Sequence, residues 1–182
     1  ASSQFNKDSL KFDNSNDTMT ITSTAALQAV AHEVTLEFLI RNTPSVAFKS
    51  LFRTDTPIAT SGFSIQNDST GGNGSVLNKL FVNVTTSAGS TTLAKRIDGV
   101  FDGDIHHCIV RINNGQVDFF KDGVKADMGT YSHGSGFASS NNLQHHVGDN
   151  LDDWLHTMYS RALSDEECLQ KWEYAKARWQ IT

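Results

Sequence analysis

A chain of 182 residues is long enough to bury about 70% of the surface its unfolded form exposes, so one domain can form a core without disulfide or metal staples. Its formal charge of -5 argues against a nucleic-acid binder, which needs a cationic footprint to displace counterions from phosphates. No apolar run approaches the ~18 residues of a membrane span, no signal peptide is visible in ASSQFNKDS, and Cys108 and Cys168 lack the CxxC spacing of a zinc site and read as buried free thiols.

A period of two dominates the chain. In 17–22, Met19 and Ile21 share one face and the threonines the other. In 33–41, Val34, Leu36, Phe38 and Ile40 alternate with Glu33, Thr35, Glu37 and Arg41, which predicts a half-buried strand with Leu39 as the one apolar residue on its polar side. VAFKSLF (46–52), GFSIQ (62–66), KLFVNV (79–84) and TTLAKRI (91–97) predict further strands. NDSTGGNGS (67–75) and SAGS (87–90) read as loops between them.

The stretch FDGDIHHCIVRINNGQVDFFKDG (101–123) predicts a meander. Cys108, Val110 and Ile112 alternate with His107, Ile109 and Arg111, and Asn113-Asn114-Gly115 then reverses the chain. Val117 to Phe120 returns, and Asp122-Gly123 turns it again. Neighbouring side chains on a strand point to opposite faces, so neither His106 with His107 nor His145 with His146 is placed to grip one ion. They read as sheet histidines, hydrogen-bonded or exposed.

The chain end alone reads as helical, from about 165 to 178. Ser164 with Glu167 forms a capping box. Asp165 and Glu166 suit the positive end of the dipole, and Lys171, Lys176 and Arg178 lie towards the negative end. Cys168, Trp172, Ala175 and Trp179 make an apolar stripe, broadened by Leu169. Many short strands, polar turns and almost no proline predict an all-β antiparallel sandwich over 1–163, with a helical extension over 164–182 on the same domain.

Segment 101–123 also resembles the central hairpin of the laminin-G-like jelly rolls of the concanavalin A-like lectin/glucanase superfamily, a His-His start, an Asn/Gly turn and a closing Asp-Gly. LKFDNSNDTMTI (10–21), ALQAVAHEVTLEFLI (26–40) and LDDWLHTMYSRALSDEEC (151–168) resemble its opening strand pair, its long following strand and its closing strand, in the right order. The resemblance implies a jelly roll. Its glucanases place acidic residues alternately on one strand, ExDxE or ExDxxE, which sets two carboxylates at hydrolytic spacing. This chain has no such strand. Glu33 and Glu37 read as a sheet-surface pair, Asp165 to Glu167 as a helix start, and no GxSxG elbow appears. A non-enzyme is expected.

The expected function is a binding or adhesion module, a surface component of a viral particle or similar assembly, on a virion or an extracellular surface. The alternative is a free lectin-like carbohydrate-binding module assisted by calcium. Candidate glycan contacts are Tyr131, His133, Asn141 and Asn142; candidate partner contacts are Trp172, Tyr174 and Trp179. The resemblance also implies calcium at the sheet rim, an ion that takes six to eight oxygens, with Asp149 and Asn150, or Asn67 and Asp68, as candidate ligands. Expected partners are capsid or tail proteins, a surface glycan, or further copies of the chain.

Overall fold

A computed structural model describes residues 9–12, 18–21, 33–42, 50–54, 62–67, 79–85, 91–131, 143–146 and 151–181. Among them are strands β1 (Leu10–Phe12), β2 (Thr18–Ile21), β3 (Glu33–Asn42), β4 (Ser50–Arg53), β5 (Gly62–Asn67), β6 (Leu80–Thr85), β7 (Thr91–Ile97), β8 (Ile105–Asn113), β9 (Gln116–Lys121), β10 (Val124–Thr130), β11 (Leu143–His146) and β12 (Leu151–Tyr159). One helix, α1 (Asp165–Trp179), follows them. The strands form two six-stranded sheets, ordered β1-β12-β3-β8-β9-β10 and β2-β11-β4-β5-β6-β7, and the pairings are antiparallel. The protein is an all-β sandwich with a C-terminal helix.

The core follows from the alternation. Val34, Leu36, Phe38 and Ile40 of β3 stand beside Cys108, Val110 and Ile112 of β8 and Phe119 of β9. Facing them from the second sheet are Phe52, Phe63, Ile65 and Val82, and the Phe38 and Phe52 rings meet at 5.9 Å. The hairpins turn where the sequence predicts. Asn114 and Gly115 have φ of 44° and 94°, Asp122 and Gly123 of 51° and 78°, the paired left-handed residues that match the twist of the flanking strands.

The predicted half-buried character of β3 is corrected. Thr35, Glu37 and Leu39, on its second face, are as buried as the first. The reason is a third layer. α1 lies across this face, where Ile109, Phe120, Leu163 and Cys168 form a second apolar cluster with Tyr159 against it. Leu39 belongs to a covered face rather than an exposed one. Glu37, expected as a surface carboxylate, is 2% exposed.

The helix is anchored before it begins. Thr35 Oγ1 donates to Arg161 O at 2.9 Å and accepts from Leu163 N at 3.0 Å. Arg111, ion-paired to Asp118, donates to Leu163 O at 2.8 Å and meets Asp165 at 2.7 Å. The predicted capping box is present: Ser164 Oγ accepts from Glu167 N at 3.1 Å, and Glu167 Oε2 accepts from Ser164 N at 2.8 Å.

Candidate cleft at the end of the helix-covered sheet

At the first residues of β8 the chain assembles a charged junction. Asp122, in the left-handed turn, uses both carboxylate oxygens. Its Oδ1 accepts from His107 N at 2.9 Å and its Oδ2 meets His106 Nδ1 at 2.7 Å. Its own N–H donates to His107 O at 2.9 Å, tying the turn to β8. On the other side of the ring, His106 Nε2 meets Asp102 Oδ1 at 3.0 Å, and that oxygen also accepts from Asp104 N at 3.0 Å.

His106 is 8% exposed with a carboxylate at each ring nitrogen. The bond to Asp122 raises its pKa above the ordinary histidine value; burial opposes this, and Asp102 adds to the rise. Burial pushes the Asp102 carboxyl up, but the Asp104 N–H and His106 outweigh it and hold it below the usual range. An imidazole so held is a poor general base, because neither nitrogen offers a free lone pair. The two carboxylates bind opposite ring nitrogens and do not converge. Among the described residues, no group of three His, Cys, Asp or Glu side chains could hold a metal ion.

Beside this junction opens a cleft of about 410 Å³. It is lined by the Gly103–Ile105 segment, His106 and Asp122, by Trp172, Gln180 and Ile181 from the helix and its end, and by Arg41 of β3. Several of these groups are held by contacts of their own. Arg41 donates to Asp152 Oδ2 at 3.1 and 2.5 Å, and its guanidinium lies 5.6 Å from the Trp154 ring. Trp172 lies against Gly123: a Cβ on that glycine would stand 2.4 Å from Trp172 Cδ1. The Trp172 ring is 6.0 Å from that of His107. The helix ends at Gln180, left-handed at φ 53°, with its N–H bonded to Lys176 O.

Under the helix, behind Trp172, lies a buried polar network. His107 Nε2 meets Glu37 Oε1 at 3.1 Å, Tyr159 donates to Glu37 Oε2 at 2.6 Å, and Lys171 Nζ stands 4.0 Å from the same oxygen. Burial drives the Glu37 carboxyl up, yet the His107 and Tyr159 bonds prevail and leave it below its ordinary value. This carboxylate is engaged by His107, Tyr159 and Lys171. A second hollow of about 480 Å³ flanks the helix, between Tyr159, Arg161 and Tyr174.

Of the predicted contact residues, Tyr131, Trp172, Tyr174 and Trp179 are described. Tyr131 is 8% exposed in the sandwich core, its hydroxyl buried with no hydrogen-bond partner among the described residues and its pKa pushed up to about 12 by burial. Asp68, His133, Asn141, Asn142, Asp149 and Asn150 lie outside the described residues. Trp172 lines the cleft. Tyr174 is 58% exposed, edge-on to Trp179 at 6.3 Å, and receives a hydrogen bond from Arg178 at 3.3 Å. Sequence reasoning missed Arg41, Asp104 and Gln180, which share the cleft only because β3, the start of β8 and the helix end converge, and Asp102, which bonds His106 beside it. The adjacent Asp-Gly turn and His pair carried the one local signal, since a turn aspartate readily bonds nearby backbone and side chains.

No protein-family model and no curated protein matches the sequence. Solved structures do. The binding domain of Paraclostridial Mosquitocidal Protein 1 superposes with a TM-score of 0.69 at 13% identity, over 91% of this chain and 43% of that one. The binding domain of botulinum neurotoxin serotype D gives 0.71 at 12% identity, over 93% and 43%. The binding domain of botulinum neurotoxin DC, solved in complex with SialylT, gives 0.64 at 11%, over 93% and 52%. This chain spans about half the length of these structures, and at such identity the likeness establishes the β-sandwich fold.

Proposed function

We propose that the chain is a non-catalytic recognition module that holds a surface glycan in the cleft between Arg41, the Gly103–Ile105 wall and the end of α1. The observation that carries this reading is the cleft itself. It sets an indole packed on Gly123 and a guanidinium paired to Asp152 beside the Asp104 carboxylate and the Gln180 amide. Such groups match a sugar's apolar ring face and its hydroxyls, and the held indole and guanidinium lower the ordering cost of binding. His106, engaged at both ring nitrogens, and the enclosed Glu37 supply neither a free base nor a paired acid, so contact without chemistry is the natural role. The fold neighbours are binding domains, one solved with SialylT, and a botulinum type C study describes interaction with two ganglioside molecules. The laminin-G-like order of the sequence motifs supports the same reading.

A glycan array, followed by calorimetry on each hit with and without calcium, tests it. Asp104→Ala and Gln180→Ala should each weaken a true ligand about tenfold, the loss of one well-placed polar contact. No binding tighter than millimolar, or hits indifferent to both substitutions, would overturn it.

A second reading rests on a different observation. Tyr174 and Leu169 are exposed on the outer side of α1. Exposed aromatics anchor interfaces. They suit a surface component held on a virion or other particle through the helix. Tyr174→Ala would then abolish co-assembly with the particle while leaving the fold and any glycan affinity unchanged.

A further inference from the structure

We propose that His106 is an acid-set latch beside the cleft: protonated, it ties Asp102 to the Asp122-Gly123 turn, and on losing its proton it releases the Asp102 carboxylate. The proposal rests on the reading of the cleft as the binding site and concerns how that site is regulated.

The argument is one of donors and acceptors. An imidazolium has two N–H donors, and here each meets a carboxylate, Asp122 at 2.7 Å and Asp102 at 3.0 Å. A neutral imidazole keeps one donor and gains one acceptor. One nitrogen lone pair must then face a carboxylate oxygen, which is repulsive. The geometry says which contact fails. Asp122 is also held by His107 N at 2.9 Å, and its own N–H is tied to His107 O on β8. Asp102 has the more exposed side chain, 38% against 27%, so water can replace its bond at lower cost. Asp102 is therefore the partner released.

The release is local. Val100 and Phe101, just before it, are buried in the core, and Gly99 O accepts from Lys121 Nζ at 2.8 Å. Gly103 N donates to Asn42 O at 3.1 Å from the far side. Gly103 is thus pinned within the segment, so what relaxes is the Asp102 carboxylate and the Asp104 N–H it holds, beside the Gly103, Asp104 and Ile105 lining of the cleft. Other charges around the ring do not substitute for its proton. Lys121 is engaged with Gly99, Arg41 with Asp152, and the buried Cys108 thiol is driven far above its ordinary value by burial. From the helix, Lys176 stacks 5.8 Å over Trp172, and Trp172, Gln180 and Ile181 are uncharged. Asp104 faces the cleft and adds to the field favouring the cation.

The test is a pH titration of the full chain by NMR, which needs no ligand. Long-range nitrogen spectra should show both His106 ring nitrogens protonated at pH 6, deprotonating at higher pH than histidines of the urea-unfolded chain. The amides of Gly103 and Asp104 should shift with the His106 midpoint, while Val100 and Phe101 stay still. Asp102→Asn, which keeps an acceptor for Asp104 N, should lower the midpoint and silence the coupled shifts; Asp122→Asn should lower it as well. A neutral ring at pH 6, Gly103 and Asp104 amides that ignore it, or an unchanged midpoint in D102N would overturn the latch. A chain that binds no glycan can still show it, so the two proposals fail separately.

Discussion

Gly123 shows how much one position decides. Its positive φ makes the β9–β10 turn, and its missing side chain is the space Trp172 fills. Gly123→Ala should cost about 2 kcal/mol, from left-handed strain plus a displaced indole. A lower denaturation midpoint with red-shifted tryptophan emission would register it. Two charged residues set opposite ends of the pH profile. The folded pKa of His106 lies above its ordinary 6.5, so its contribution is complete below about pH 6.5 and is lost as pH rises through the folded value. That of Glu37 lies below its ordinary 4.5, so its contribution is present above about pH 4.5 and is lost as pH falls through the folded value. Urea midpoints from pH 3 to 9 should therefore plateau between these limits; a midpoint that climbs steadily from pH 6.5 to 9 would contradict this. Both cysteines are buried and free, with Cys168 pushed up to about 11 by burial. A thiol reagent should find no reactive cysteine in the native chain and two after denaturation.

At the scale of elements, the helix and the hairpins were legible because their signals are local. A capping box needs four consecutive residues, and a left-handed turn needs two. Ser164→Ala should lower stability by about 1 kcal/mol, measurable by thermal or urea unfolding. The attachment of the helix was not legible, since it depends on Thr35, more than a hundred residues earlier, meeting Arg161 and Leu163. Thr35→Val keeps the shape of the side chain but leaves the buried Leu163 N–H without its partner. The expected cost is about 1–3 kcal/mol, with amide exchange at Leu163 accelerating more than exchange in the core of β8. An unchanged exchange rate there would show that Thr35 does not hold the helix.

For the whole molecule, the third layer is the feature with the widest consequences. Removing residues 164–182 would expose Ile109, Phe120 and Leu39 and strip Lys171 from the Glu37 network. A chain cut this way should unfold or aggregate, as followed by light scattering and circular dichroism; a soluble, cooperatively folded remnant would show that the helix is dispensable to the core. Without α1 the cleft also loses Trp172, Gln180 and Ile181, so fold and candidate site depend on the same element.

Alternation of apolar residues determined the antiparallel sandwich, because a period of two specifies which face of each strand is dry before any partner is known. Turn residues and the capping box determined where the chain reverses and where its helix starts, since each acts over a few consecutive residues. Only the tertiary structure decided that the second face of β3 is covered, that Glu37 is buried and that Arg41, Asp104 and Gln180 share a cleft. Burial of that second face depends on where a distant helix lands, and a pattern confined to one strand holds no record of what packs on it.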